Sequence, residues 1–179
     1  NAAGIKYVVA KPVSRTLLLQ TIQEAVQSKR LLPDIRQPND NLLFMPVAGV
    51  ENQRVLLAED NEINQLVAKE LLEGMGLAVD IAENGRIALE MLALNDYAAV
   101  FMDIQMPEMD GYEATRHIRA NPQLRGLPII ALTAHGMVGD REKCIKAGMD
   151  DHISKPIDPQ ALADMVARWC CKGGPHPHA

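Results

Sequence analysis

The sequence predicts an open α/β fold with a doubly wound parallel sheet, and three observations carry that prediction. From Arg54 onward, short apolar runs alternate with amphipathic stretches, five times in about 116 residues. The apolar runs are continuous rather than alternating, as expected of strands covered on both faces. Polar residues collect just after those runs, where open α/β sheets place their functional groups.

The strands are expected at Val55–Ala58, Ala78–Ala82, Ala98–Met102, Ile129–Leu132 and, more weakly, Asp151–Ser154. Helices are expected at 62–74, 85–94, 111–120, 138–147 and 159–169. Ile63, Val67 and Leu71 recur at i+4 and mark an inward stripe on the first helix; Ile87 and Met91 do the same on the second. Leu162, Met165, Val166 and Trp169 form the stripe of the last, which Asp158 caps with Pro159 in first position. Gly74-Met75-Gly76 ends a helix rather than opening one, so it reads as a C-cap and not as half a dinucleotide loop.

Upstream, residues 5–10 read as a strand and 14–27 as a helix, too little to bury a core alone. Lys11-Pro12-Val13 with Leu18 and Ile22 repeats as Lys155-Pro156-Ile157 with Leu162 and Val166, at an offset of 144. Residues 1–30 are therefore expected to be the closing strand and helix of a preceding similar domain. Residues 31–53, with three prolines and Asn39-Asp40-Asn41, read as a linker in which Leu42–Met45 is apolar enough to dock. The main domain is expected over 54–170 and a flexible tail over 171–179, where Cys170-Cys171, His176 and His178 read as tail residues rather than a metal site.

Composition narrows the function. Eighteen basic residues stand against 23 acidic ones, and residues 51–179 carry the whole deficit. Such an acidic domain is a poor partner for nucleic acid or an anionic membrane surface. No apolar run approaches the ~18 residues of a spanning helix, and no signal pattern or disulfide framework is evident, so the expected location is cytoplasmic. A P-loop and a kinase's phosphoacceptor helix are both missing.

Glu59-Asp60, Asp103, Thr133 and Lys155 follow the first, third, fourth and fifth strands; Glu83, after the second, is expected outside their cluster. Alone, Glu59-Asp60 would be a charge pair at a helix N-terminus, Thr133 a turn residue and Lys155 a surface lysine. Together they form a receptacle. Converging carboxylates repel unless a cation neutralises them, and an all-oxygen set suits Mg²⁺ rather than zinc. With a lysine and a hydroxyl added, the set fits a phosphoryl group, which a carboxylate can attack to give an acyl phosphate. Asp103, closing the central strand before a long loop, is the best nucleophile.

Glu59-Asp60-Asn61, Met102-Asp103-Ile104-Gln105-Met106-Pro107-Glu108-Met109-Asp110-Gly111, Ala131-Leu132-Thr133-Ala134 and Ile153-Ser154-Lys155-Pro156 resemble the receiver domain of two-component response regulators over about residues 53–170. They look most like the C-terminal receivers of hybrid sensor histidine kinases. The resemblance implies a flavodoxin-like five-stranded sheet of order 2-1-3-4-5 and a phosphorylated Asp103. It implies Mg²⁺ held by Glu59 (through water), Asp60, Asp103 and the main-chain carbonyl of Gln105. It also implies Lys155 on the phosphoryl oxygens, Thr133 and His152 as switch residues, Gln105 and His135 as tuners of phosphoryl lifetime, and a cis Lys155–Pro156 bond. Implied partners are a histidine kinase transmitter, a histidine phosphotransfer domain or a second copy of the chain. Such a fragment would be a phosphoacceptor rather than a turnover enzyme, within a parent protein histidine kinase.

Three rivals remain open: a stand-alone response regulator receiver, an aspartate-nucleophile phosphatase, and a phosphorylation-independent interaction module. The phosphatase chemistry needs a second aspartate two residues after the first, and position 105 is Gln.

Overall fold

The computed structural model describes residues 46–134 and 140–171. The strand and helix expected in residues 1–30, the Leu42–Met45 segment, His135, the first residues of the helix expected at 138–147, and residues 172–179 lie outside the described residues.

Five parallel strands form one sheet: β1 (Arg54–Ala58), β2 (Ala78–Ala82), β3 (Ala99–Asp103), β4 (Ile129–Thr133) and β5 (Asp151–Ser154), in the order β2-β1-β3-β4-β5. The crossovers are α1 (Glu62–Gly74), α2 (Gly85–Leu94), α3 (Gly111–Ala120) and α4 (Asp140–Ala147), and α5 (Pro159–Trp169) follows β5. β3 begins and ends one residue later than the sequence suggests, which draws Asp103 into the ladder opposite Leu132.

The period of two along each strand divides the core. Val55, Leu57, Phe101, Ile130, Leu132 and Ile153 pack with Leu71, Leu72, Leu162 and Val166, under α1 and α5. Leu56, Ala58, Val100, Met102, Ile129 and Ala131 pack with Ala88, Leu92, Ala114, Ile118 and Cys144, under α2, α3 and α4. Both faces of the three central strands are covered, and this is why those strands read as unbroken apolar runs.

Local chemistry sets the helix starts. The side chains of Asn61, Asn84, Asp110 and Asp158 accept from backbone N–H groups in the first turns of α1, α2, α3 and α5. Gly76, just past α1, takes a φ of +97°, a left-handed conformation that favours glycine.

The stripe expected on α1 needs correction. Ile63 is 73% and Val67 48% exposed, whereas Ala68, Leu71, Leu72 and Met75 are buried. At 3.6 residues per turn, each i+4 step advances about 40° around the helix. Ile63, Val67 and Leu71 therefore drift off any single face, and only Leu71 reaches the core. Residues 46–53, in the stretch read as linker, pack against the domain: Val50 is fully buried, Val47 lies against the same core, and the Val47 N–H donates to the Met75 carbonyl.

Candidate functional site

The carboxyl ends of β1, β3, β4 and β5 bring together side chains that are far apart in sequence. Carboxylate oxygens of Glu59, Asp60 and Asp103 all lie within 4.8 Å of one another. Glu83, after β2, is exposed and not part of the group, as expected.

Glu59 is 1% exposed, so its charge must be met inside the protein. Two side chains meet it, and a third holds the main chain beside it. Asn64 Nδ2 donates to Oε1 (2.8 Å), Lys155 Nζ donates to Oε2 (2.5 Å), and Gln65 Nε2 donates to the main-chain carbonyl (2.7 Å). Asn64 and Gln65 lie on the first turn of α1, so the Asn61 cap that starts the helix also aims their amides at Glu59. Asp60 is exposed at the mouth of the pocket.

Asp103 is buried at the end of β3, where Lys155 Nζ donates to Oδ2 (2.6 Å) and the Gln105 N–H to Oδ1 (3.3 Å). Lys155 thus bridges two acids. Burial alone would lower its pKa, but hydrogen bonds and charge attraction from Asp103 and Glu59 outweigh that and raise it. It holds its proton throughout the physiological range. Thr133 is buried at the end of β4; its hydroxyl lies 3.5 Å from the Ile153 carbonyl, and its own carbonyl accepts from the Lys155 N–H (2.7 Å). The Lys155–Pro156 bond is cis.

Backbone packing shapes the loop after Asp103. The Gly111 N–H donates to the Ile104 carbonyl (3.0 Å) and the Gly85 N–H to the Met109 carbonyl (3.1 Å), folding 104–110 back against the start of α2. A Cβ on Gly111 would stand 2.2 Å from the Asp103 carbonyl oxygen. Only glycine lets α3 start that close to the end of β3.

The structure gathers Glu59, Asp60, Asp103, Thr133 and Lys155 from four strand ends. Gln105 is present through its main chain, and its side chain is exposed. His152 stands opposite Ala131, two residues short of Thr133 on the neighbouring strand; its Nδ1 is buried without a hydrogen-bond partner, 3.8 Å from Asp151 Oδ1. Sequence reasoning did not single out Asn64 and Gln65. Their signal was two amides five and six residues past Glu59, inside a first helical turn.

The fold and pocket define a class: a doubly wound parallel domain with an acidic, lysine-bridged cluster at the carboxyl rim. The response regulator receiver domain model matches residues 55–167, and the chain belongs to that family. Its homologues include receivers of hybrid sensor histidine kinases. It is 36% identical over 163 residues to the sensor protein GacS of Pseudomonas syringae pv. syringae, covering 89% of this chain and 17% of that protein. The chain thus spans well under a fifth of that relative's length.

Among solved structures, the receiver domain of a sensor histidine kinase from Pseudomonas aeruginosa PAO1 is 42% identical, with a TM-score of 0.63 over 66% of this chain and 98% of that one; it holds a magnesium ion in its active site cleft. The receiver domain of the Saccharomyces cerevisiae response regulator Ssk1, solved with the histidine phosphotransfer protein Ypd1, is 29% identical at a TM-score of 0.63, covering 68% of this chain and 90% of that one. No helix among the described residues is long and apolar enough to cross a membrane.

Proposed function

We propose that this receiver accepts a phosphoryl group from phosphohistidine onto Asp103, as one station of a phosphorelay. The observation that carries this reading is a buried Asp103 carboxylate held 2.6 Å from the Lys155 ammonium, beside two further carboxylates. Three acids facing one lysine are an under-neutralised group that fits a divalent cation with oxygen ligands. Asp60, Asp103, the Gln105 carbonyl and, through water, Glu59 would hold Mg²⁺. Bound there, the ion would offset charge on the phosphoryl oxygens.

In the reaction, a carboxylate oxygen of Asp103 forms a bond to phosphorus as the P–N bond of the donor breaks. The electron pair of that bond returns to the imidazole nitrogen. Lys155 turns from the Asp103 carboxylate to the incoming phosphoryl oxygens, and the Thr133 hydroxyl donates to another of them. That hydroxyl must leave its long contact with the Ile153 carbonyl, which couples occupancy of the pocket to the β4–β5 edge. His152 is the second residue of this switch, and Gln105 and His135 are the residues that tune phosphoryl lifetime. The acyl phosphate then passes to a histidine phosphotransfer domain or is hydrolysed.

A donor has to place its histidine at the mouth near Asp60. Beside that mouth, α1 exposes Ile63 (73%), Leu66 (58%) and Val67 (48%). A patch of that kind on a polar surface marks an interaction site. It suits an apolar helical face on a histidine phosphotransfer domain, the class of partner seen bound to the Ssk1 receiver. The domain organisation fits a hybrid histidine kinase parent, with residues 1–30 from a preceding receiver-like domain, 31–53 linking, 54–170 forming the receiver and 171–179 a tail.

Asp103→Asn should abolish acyl-phosphate formation from acetyl phosphate and from a phosphohistidine donor, read by acid-labile, hydroxylamine-sensitive labelling. Labelling retained in that variant would reject Asp103 as acceptor. Leu66→Asp should slow transfer from the protein donor about ten-fold or more and leave acetyl phosphate labelling unchanged.

A further inference from the structure

β5 is the short edge strand of the sheet, paired on one side only, from Ile130↔Asp151 to Thr133↔Ser154. It delivers Lys155 to the pocket. Few ladder bonds hold it, and a slip of one residue would displace Lys155 by about 3.3 Å and turn its neighbours to the opposite face.

At the other end of β5 stands a part-buried ion pair. Arg119, in the last turn of α3, donates from Nε to the Gly148 carbonyl (2.7 Å) and from Nη1 to the carbonyls of Leu127 (2.8 Å) and Arg125 (3.2 Å). Its Nη2 donates to Asp150 Oδ2 (2.7 Å). The same Asp150 oxygen accepts from the Ile129 N–H (2.7 Å), and the Asp150 N–H donates back to the Ile129 carbonyl (2.9 Å). Asp150 therefore joins the residue before β5 to the first residue of β4, and the planar guanidinium fork holds that carboxylate while tying the Gly148 turn to the Leu127 carbonyl ahead of β4. Gly148 turns here with φ +100°, and a Cβ at that position would press on Arg119 Cγ at 3.0 Å.

We propose that Arg119 is a positioning residue for the phosphoryl site: through Asp150 it holds the register of β5 and thereby the reach of Lys155 to Asp103 and Glu59. The inference rests on the phosphoacceptor reading above. It makes a distinction that a purely structural role does not. The carboxylates of the cation cluster follow β1 and β3, so loosening β5 should disturb Lys155 and spare the metal site.

The test compares Arg119→Gln, Asp150→Asn, Lys155→Ala and the Arg119→Gln/Lys155→Ala double variant in the full chain. The rate of acyl-phosphate formation from acetyl phosphate is measured alongside Mg²⁺ affinity by titration calorimetry. Arg119→Gln should slow phosphorylation about ten-fold, with no loss of Mg²⁺ affinity, and should have no further effect in the Lys155→Ala background. Asp150→Asn, nearly isosteric, should act in the same direction with a smaller loss.

An equal rate loss with and without Lys155, a parallel loss of Mg²⁺ affinity, or an unchanged rate in both single variants would overturn the proposal. Failure of the phosphoacceptor reading looks different: Asp103→Asn would still be labelled.

Discussion

The two rims of the sheet treat charge in opposite ways. Near the amino rim, Arg119 and Asp80 each have several partners. Arg119 is spread over carbonyls and Asp150, and Asp80 accepts from both Arg54 (2.5 Å) and the Tyr97 hydroxyl (2.8 Å). At the carboxyl rim Glu59, Asp60 and Asp103 have one ammonium among them. The first arrangement closes a structure. The second leaves acid in excess at a place open to solvent, which costs stability unless a cation relieves it.

That contrast can be broken at several points. The largest expected effect is at Gly111. Gly111→Ala would drive a Cβ into the Asp103 carbonyl, and overpacking of this kind should cost about 3 kcal/mol in denaturant unfolding. Next comes the acid excess itself. Mg²⁺ at 100 times its dissociation constant should stabilise the protein by about 2.7 kcal/mol, seen as a raised melting temperature. Asp60→Asn should remove most of that gain; an undiminished gain would place the ion elsewhere.

A smaller effect belongs to Tyr97, whose pKa is pushed up to about 12, first by burial and then by its hydrogen bond to Asp80. The fold favours the neutral phenol. Its contribution to stability is therefore complete below the ordinary value of about 10 and is lost as pH rises through about 12. Absorbance at 295 nm should show a late-titrating tyrosine that Tyr97→Phe deletes. The smallest effect should come from Arg54→Ala: with the arginine side chain 48% exposed, its pair with Asp80 should contribute less than about 1 kcal/mol. A larger loss there would mean that the amino rim matters more than its exposure suggests.

The comparison also separates what a linear reading reaches from what it misses. Helices α1, α2, α3 and α5 were readable to the residue; Asp158 announced the last by its cap, and the structure shows Asn61, Asn84 and Asp110 starting the other three by the same chemistry. Glu59, Asp60, Asp103, Thr133 and Lys155 were readable because a parallel sheet sends every strand end to one rim. The inward face of α1 was misread, since a stripe of i+4 spacings looks the same whether or not it drifts away from the core. Asn64, Gln65 and Arg119 stayed hidden for another reason. Their partners are a nearby glutamate, an aspartate 31 residues further on, or main-chain carbonyls, and carbonyls leave no mark in a sequence.

One contact near the amino rim has a consequence for how such a module is joined to other units. The Cys171 thiol lies 3.4 Å from the Ala48 carbonyl, so the incoming and outgoing polypeptide pass side by side. A folded unit whose two attachment points coincide can be spliced into a longer architecture like a bead on a closed loop. Tension along the host backbone then bypasses the acidic pocket, which sits at the opposite rim of the sheet.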